Sequence, residues 1–240
     1  MIPAIALTLL GVSAGLVAWA VRGRSADWLA PSVWRGPGDR KAVALSFDDG
    51  PSESTEQILK LLAQYGAKAT FFQIGQHVDR LPQVTQRVVG AGCEVGNHSY
   101  SHRRFDFTSA AFQLEELQKT QWAIEAACGA KPVWFRAPFG VRWAGLAKAQ
   151  KACGLNGAMW TVLARDWRLS GTQIERRVLG KVDNGSIICL HDGRGLEVDP
   201  DVSATVEALS RILPVLRDRG YEMVTISELL GKSETSKKSA

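Results

Sequence analysis

Short apolar runs alternate with longer amphipathic stretches from about residue 41 to residue 231. Apolar runs of about 4–8 residues bounded by turn-forming residues are typical of buried strands. Amphipathic stretches typical of helices lie between them, including 55–66, 109–129 and 203–220. Strands that alternate with helices predict parallel βα units, which favour an α/β fold with an incomplete or distorted (β/α) barrel. A doubly wound open sheet is the alternative. The seven predicted strands are VALSF (43–47), ATFFQIG (69–75), CEVGN (93–97), VWFRA (133–137), AMWTVL (158–163), SIICLH (186–191) and EMVTI (222–226).

Two residues bear on the limits of the predicted helices. Gly66 follows the stretch 55–65 in the position where a glycine commonly ends a helix. Pro214 lies within the stretch 203–220. A proline inside a helix removes a backbone hydrogen bond, so we expect a kink or a break there.

The N-terminal stretch from Ile2 to Val21 carries no charged residue. Its length matches the roughly 20 residues that cross a bilayer, which favours a retained membrane anchor. A signal peptide is the alternative, because Ala18-Trp19-Ala20 resembles a cleavage site, although a basic n-region is missing. Arg22 and Arg24 follow the stretch and favour a domain on the cytoplasmic side, while the exported side stays open.

Composition divides the chain into four segments. Residues 1–21 form the hydrophobic segment, and residues 22–40, rich in Arg, Gly and Pro, are interpreted as a linker. Residues 41–231 carry the alternating pattern and are predicted to fold as one domain. Residues 232–240 are predicted to be a disordered tail.

Charge and cysteine usage narrow the function classes. The chain has 240 residues and a net charge of +5 whose sources are scattered. It has no basic run or aromatic-interleaved basic stripe, so we expect no nucleic-acid partner. None of the four cysteines forms a C-x-x-C pair, and we expect reduced, buried thiols. We also expect a monomer.

Side chains that can do chemistry gather where the predicted strands end. The carboxyl ends of parallel strands meet at one rim of such a fold, where catalytic groups collect. We therefore expect these side chains to form one site. They are Asp48, Asp49, His98, His102, Arg136, Asp166, His191 and Asp192.

The combination of imidazoles and carboxylates indicates a metal site. His98 and His102 are four residues apart, and on a helix they would face one side, about one turn apart. With a carboxylate from another strand end they form a set that suits zinc or another divalent transition metal. One acid of the pair Asp48 and Asp49 would bind the metal. The other would be a general base for water that the metal activates.

The remaining groups complete a set for metal-assisted hydrolysis of an amide or ester. Arg136 could hold the free carboxylate ionised and oriented. His191 could protonate the leaving group, and Asp166 could raise the pKa of His191 and fix its tautomer. Non-haem iron oxygenases also use two histidines and a carboxylate, but they have no use for this additional set.

Five short motifs resemble those of a known family. "SFDDGP", "HSYSH", "RAPFG", "RDW" and "LHDG" occur in this order. They resemble the motifs of the polysaccharide deacetylases, which are carbohydrate esterase family four and carry the nodulation protein B homology domain. The resemblance covers essentially residues 41–231 and implies a distorted (β/α)7 barrel.

The resemblance also implies an activity and a role for each motif residue. The activity is removal of N-acetyl groups from N-acetylglucosamine-containing glycans of the chitooligosaccharide or peptidoglycan type. One divalent ion is implied, with Zn²⁺ expected and Co²⁺ or Mn²⁺ as alternatives. By motif, Asp48 would be the base, positioned by Arg136, and the metal ligands would be Asp49, His98 and His102. His191 would be the acid, with Asp166 as its partner. Trp167 and Leu190 would line the pocket for the acetyl methyl, and a backbone N–H near Phe139 would be the oxyanion donor.

Two departures from the family pattern leave alternatives open. Leu163 stands where many members have an acid, and Trp143 stands where many have Asn; Trp143 could stack on a sugar or pack in the core. A lipid-linked amino sugar is an alternative substrate for deacetylation or deformylation, given the apolar N-terminus. A glycan-binding barrel without turnover is another alternative. His77, in a polar helical stretch, is expected at the surface.

Overall fold

The computed structural model describes residues 13–231. A parallel sheet of nine strands forms its centre, in the order β1-β6-β5-β4-β3-β2-β8-β7, and β9 pairs with β2. The strands are β1 (Ser32–Val33), β2 (Ala42–Gly50), β3 (Ala69–Gln73), β4 (Glu94–Asn97), β5 (Trp134–Phe135), β6 (Asn156–Ala158), β7 (Val162–Leu163), β8 (Ile187–His191) and β9 (Glu222–Val224).

Within residues 32–231, eight helices follow or connect the strands, and most of them pack on the outside of the sheet. They are α1 (Thr55–Gln64), α2 (Gly75–Arg80), α3 (Pro82–Gly90), α4 (Ala110–Cys128), α5 (Leu146–Cys153), α6 (Gly171–Leu179), α7 (Ser203–Asp218) and α8 (Ile226–Leu229). A 3₁₀ turn spans Pro138–Gly140.

The sheet curls into a half-barrel, which confirms the prediction of an α/β fold with parallel strands. In the part of the chain that the structure describes, the end strands β1 and β7 do not pair with each other. The run predicted as one strand at 158–163 is divided between β6 and β7, which pair with β5 and β8 respectively.

Strand β2 shows why the apolar layers form where they do. Its large residues Val43, Leu45 and Phe47 belong to the core between the sheet and the helices. Ala42 and Ala44, which point to the other face, belong to a smaller cluster inside the half-barrel. Small residues on the inner face leave room above them for polar side chains, and Asp48 continues this inward series.

Helix α7 runs through Pro214 from Ser203 to Asp218, so the helix is not broken there. A proline inside a helix costs about 3 kcal/mol. Ile212, Leu213 and Leu216 around it are fully buried in the core between sheet and helices. Burial of side chains of this size contributes about 1.5–3 kcal/mol each, which outweighs the lost hydrogen bond.

The segment interpreted as a linker, residues 22–40, contributes to the folded domain. Its strand β1 pairs with β6 in register Ser32 to Gly157. The buried guanidinium of Arg142 donates to the carbonyls of Gly23 and Ala26. Backbone hydrogen bonding and a buried donor therefore hold residues that composition alone marked as irregular.

The predicted membrane segment falls largely on residues 1–12, which lie outside the described residues, as does the predicted tail 232–240. Residues 13–22 are helical, and Leu16, Val17 and Trp19 are exposed on them. Within residues 13–231, no helix is both long enough and apolar enough to span a bilayer.

Candidate active site

The two adjacent acids at the end of β2 point in different directions because the strand bulges between them. Asp48 pairs with Phe72 of β3 and Gly50 pairs with Gln73, so Asp49 is the extra residue. Asp49 has a φ of 73°, in the left-handed region. Bulges of this kind re-aim a side chain and are common beside active sites. The bulge therefore separates two carboxylates that are neighbours in sequence.

Asp49 lies against both histidines of the predicted metal set. Its Oδ1 atom is 3.3 Å from His98 Nε2 and 3.0 Å from His102 Nε2. Ligand atoms about 2.0–2.1 Å from one ion lie about 3.0 Å apart at right angles and about 3.4 Å apart at tetrahedral angles. Both distances from Asp49 are thus those of ligands on one ion, and the three ligand atoms all lie within 4.8 Å of one another.

Hydrogen bonds orient this group toward a common point. His98 Nδ1 lies 2.7 Å from the backbone carbonyl of Arg136. Because a carbonyl only accepts, Nδ1 carries the proton and Nε2 keeps its lone pair. His102 Nε2 is buried and, although it lies 3.0 Å from Asp49 Oδ1, it makes no hydrogen bond of suitable geometry within residues 13–231. A buried nitrogen that makes no hydrogen bond suits a metal ligand, so the residues fit a divalent cation.

Electrostatics favour an ionised Asp49. Burial raises its pKa, but the interactions with His102 and His98 outweigh burial and bring the pKa well below the ordinary value. The backbone N–H of Gly195 also donates to Asp49 Oδ2 at 2.8 Å. The carboxylate is therefore available as a ligand.

A loop, not a helix, brings the two histidines together. Residues 98–102 are not helical, and Ser99 and His102 have φ values of 64° and 52°. Glu116 Oε2 accepts from the backbone N–H groups of Tyr100 and Ser101 at 3.0 and 2.8 Å. The two histidines therefore meet without sharing a helix face, because this buried carboxylate stabilises a compact loop.

Asp48 is buried and held on both oxygens. Arg136 Nη1 donates to Asp48 Oδ1 at 2.6 Å, and the Cys189 thiol lies 3.4 Å from Oδ2. Arg136 is fully buried, its Nη1 also donates to Ser46 Oγ at 2.9 Å, and its guanidinium stacks 4.1 Å from the ring centre of Phe72. The guanidinium thus compensates the charge of the carboxylate and fixes its orientation.

His191 and Asp166 form a second pair at the rim. His191 Nδ1 donates to Asp166 Oδ1 at 2.8 Å, and Thr205 Oγ1 donates to Asp166 Oδ2 at 2.8 Å. Burial lowers the pKa of His191, but the Asp166 carboxylate and then the charges of Asp49 and Asp48 raise it to about 9. His191 is therefore protonated at neutral pH, with Nε2 directed away from Asp166.

Three predicted binding residues have different surroundings. Phe139 is 60% exposed and its ring lies 4.7 Å from that of His102, while Trp167 is 45% exposed and lies 5.1 Å from the ring of His191. Leu190 was predicted wrongly. It packs in the core between sheet and helices, because neighbouring residues of a strand point to opposite faces. Cys189, two residues before His191, is the one that faces inward.

The two residues that depart from the family pattern contact groups other than the metal ligands. Leu163 is half-buried in β7 and its carbonyl accepts from Arg177 Nε at 2.6 Å. Trp143 is half-buried, and its ring lies 4.7 Å from that of Phe107, which is exposed.

His77 was expected at the surface and is buried, with 5% of its area exposed. Its Nε2 lies 2.8 Å from the carbonyl of Gly195, the residue whose N–H binds Asp49. His77 thus supports the backbone that orients a metal ligand. Its burial depends on the loop 193–199 from another part of the chain, so the local polar pattern gave no signal for it.

Replacing His77 by Ala is expected to weaken Zn²⁺ binding by up to about 10-fold, because direct partners of metal ligands contribute about 10–100-fold and His77 acts one bond further away, through Gly195. Calorimetric titration of the metal-free protein measures it. His77→Gln keeps an N–H donor toward Gly195 and should recover part of the affinity. Equal affinities of the Ala variant and the unaltered chain would show that the bond to Gly195 plays no part.

Known proteins are similar to this chain over most of its length. The family model described as polysaccharide deacetylase matches residues 35–158. The chain is 38% identical over 208 residues to a peptidoglycan-N-acetylglucosamine deacetylase of Bacillus cereus, covering 82% of this chain and 92% of that one. It is 34% identical over 198 residues to a chitooligosaccharide deacetylase of Bradyrhizobium sp., covering 79% and 90%. A solved carbohydrate esterase family 4 pseudoenzyme from Bacillus anthracis matches with a TM-score of 0.77 and 33% identity, over 85% of this chain and 70% of that one.

Proposed function

Because this chain belongs to the polysaccharide deacetylase family, we propose that it removes N-acetyl groups from glycans containing N-acetylglucosamine, of the peptidoglycan or chitooligosaccharide type. The proposal rests on one observation, which is that the two neighbouring acids have different partners. Asp49 lies with His98 and His102 in a metal-ligand arrangement, and Asp48 is held apart by Arg136. An acid–base pair, Asp166 with His191, completes the site.

Asp49, His98 and His102 would hold one divalent ion. Their mixed nitrogen and oxygen donors suit Zn²⁺, and Co²⁺ or Mn²⁺ would fit the same donors. When bound, the ion supplies a Lewis acid that polarises the amide carbonyl and makes water more acidic.

Asp48 takes the proton from the attacking water. Its pairing with Arg136 at 2.6 Å fixes Oδ1 and leaves Oδ2, beside the Cys189 thiol, to accept the proton. A positioned general base contributes about 10²–10⁴-fold to such a reaction.

His191 protonates the amine of the departing sugar. It is the group suited to this step because Asp166 keeps it protonated, with a pKa of about 9, and fixes the proton on Nδ1 toward the carboxylate. The second nitrogen, Nε2, then gives its proton to the leaving group.

The backbone around Phe139 supports the developing negative charge on the carbonyl oxygen. The next two N–H groups of this turn are already used, since Gly140 donates to Ala137 and Val141 donates to Pro138. The proposed donor is the N–H of Phe139, whose φ of 57° turns the backbone at this point. Trp167, beside His191, offers an apolar wall for the acetyl methyl.

Asp166→Asn is expected to move the alkaline limb of the kcat profile to lower pH. The acid form of His191 is required, so activity should fall as pH rises through about 9 in the unaltered chain. Without the carboxylate charge, burial lowers the pKa of His191, so activity falls at a lower pH. Thr205→Val is the matched control, because it removes a hydrogen bond to Asp166 and no charge. An alkaline limb at the same pH in Asp166→Asn and the unaltered chain would rule out that Asp166 raises the pKa of the catalytic acid.

The activity is tested by acetate release from chitooligosaccharides, from peptidoglycan fragments and from a lipid-linked N-acetylated sugar. We expect release from a soluble glycan, loss after chelation, and recovery with Zn²⁺ or Co²⁺. Release from the lipid-linked sugar alone would favour the glycolipid alternative. Tight glycan binding without release over Zn²⁺, Co²⁺ and Mn²⁺ would favour a binding barrel.

Attachment to a membrane through the N-terminal segment is also proposed. Its support is the charge-free run Ile2–Val21 and the exposed Leu16, Val17 and Trp19. The full chain should sediment with membranes and a chain beginning at Arg22 should not. A reporter fused after residue 240 distinguishes the cytoplasmic from the exported side.

A further inference from the structure

A second group of metal-ligating side chains lies beside the first and shares no residue with it. It consists of Asp48, Cys189 and His191, whose ligand atoms all lie within 4.8 Å of one another. The register of the sheet explains this grouping. Asp48 pairs with His191 and Ser46 pairs with Cys189 across β2 and β8, so these side chains point to the same inner face.

The donor atoms are suitably placed for coordination. Cys189 Sγ lies 3.4 Å from Asp48 Oδ2, the carboxylate oxygen that Arg136 does not bind. His191 is fixed through Nδ1 by Asp166, which leaves Nε2 toward the site. Carboxylate-bound histidines of this kind are typical metal ligands. The side chain of His191 is 14% exposed, so an ion can reach the group from the rim.

We propose that Asp48, Cys189 and His191 form a second, inhibitory site for zinc or another thiolate-binding divalent ion. A thiolate, an imidazole and a carboxylate are the donor types that zinc prefers. The inference rests on the proposed function for its consequence: an ion here would occupy both the base and the acid, and so stop turnover.

The surroundings make this site weaker than the first. Burial and the Asp48 carboxylate raise the pKa of the Cys189 thiol well above its ordinary value. An incoming ion must therefore displace two protons, one from the Cys189 thiol and one from Nε2 of His191, and both leave to solvent. The Arg136 guanidinium next to Asp48 also repels a cation. The first equivalent of metal thus fills the Asp49 cluster, and only excess metal fills the second group.

Cobalt titration of the metal-free chain separates the two sites by spectroscopy. The first equivalent should give only the weak visible bands of nitrogen and oxygen ligands. The second should add an intense thiolate-to-cobalt charge-transfer band in the near ultraviolet. In Cys189→Ser and Cys189→Ala the charge-transfer band should be absent and the zinc stoichiometry should fall from two ions to one.

Cys93→Ala is the matched control, since Cys93 is another buried free thiol but lies in the core between sheet and helices. It should keep the band and both ions. Acetate release by the unaltered chain should fall as zinc exceeds one equivalent, and that fall should vanish in the Cys189 variants, each compared with its own activity at one equivalent.

A single zinc ion bound at saturation by the unaltered chain, or a charge-transfer band that persists without Cys189, would overturn the second site. Equal inhibition of the Cys189 variants by excess zinc would overturn its inhibitory role. The band and the stoichiometry do not depend on turnover, so failure of the proposed deacetylase activity would leave them measurable and would be seen separately.

Discussion

Asp48→Asn is expected to lower kcat for acetate release by about 10²–10⁴-fold, the contribution of a positioned general base. The amide has the size of the carboxylate and can still accept from Arg136 Nη1 through its oxygen. It cannot take a proton from water at neutral pH. The variant should therefore still fold, with lower stability because the buried charge of Arg136 loses its anion, and it should bind glycan but lose the chemical step.

The Zn²⁺ affinity shows whether the loss of kcat comes from the missing base or from a lost metal ion. Calorimetry with one equivalent of Zn²⁺ should give similar affinities for Asp48→Asn and the unaltered chain, because Asp49 and the histidines hold the ion. Asp49→Ala is the contrasting variant and should lose both the metal and the activity. An Asp48→Asn variant that turns over at the full rate would exclude Asp48 as the base.

Arg136→Met is expected to destabilise the fold by about 3–5 kcal/mol, the usual effect of breaking a buried ion pair. The substitution leaves the Asp48 carboxylate buried without its cation and frees the carbonyls of Ala158 and Met159. In a domain of this size such a loss lowers Tm by about 10 °C. Thermal unfolding followed by circular dichroism measures it.

A double-mutant cycle tests whether the unpaired charge of Asp48 causes the loss of stability in Arg136→Met. Adding Asp48→Asn to Arg136→Met removes the unpaired charge, so part of the lost stability should return. Arg142→Met is the matched control, because Arg142 is as deeply buried but binds the carbonyls of Gly23 and Ala26. It should lower stability without the loss of kcat that Arg136→Met shows. No recovery in the double variant would mean that Asp48 does not depend on Arg136.

The residues at the ends of strands were the ones whose positions the sequence predicted most reliably. Asp48, His98, Arg136 and His191 follow apolar runs, and parallel strands bring such positions to one rim whatever the helices between them do. The choice of Asp49 rather than Asp48 as the ligand beside the histidines came from the family resemblance alone, and the structure brings these three residues within ligand distance. The strand alternation itself, counted back from His191, would have identified Cys189 rather than Leu190 as inward-facing.

Features made by distant contacts could not be predicted in the same way. Strand β1 has two residues, too few to show a period, and it exists because β6 offers a free edge. The burial of His77 requires the loop that carries Gly195, more than a hundred residues along the chain. The loop at 98–102 is set by Glu116 from helix α4, and no local pattern reports that contact.

The bond between His98 and the backbone carbonyl of Arg136 has an evolutionary consequence. Mutation can replace the side chain at position 136 but cannot delete its carbonyl. A lineage can therefore lose the guanidinium that holds the base and still inherit an intact histidine ligand. Loss of activity and loss of metal binding are then separate events. A descendant inactivated by one substitution at position 136 would still bind metal, and only an activity assay would reveal the loss.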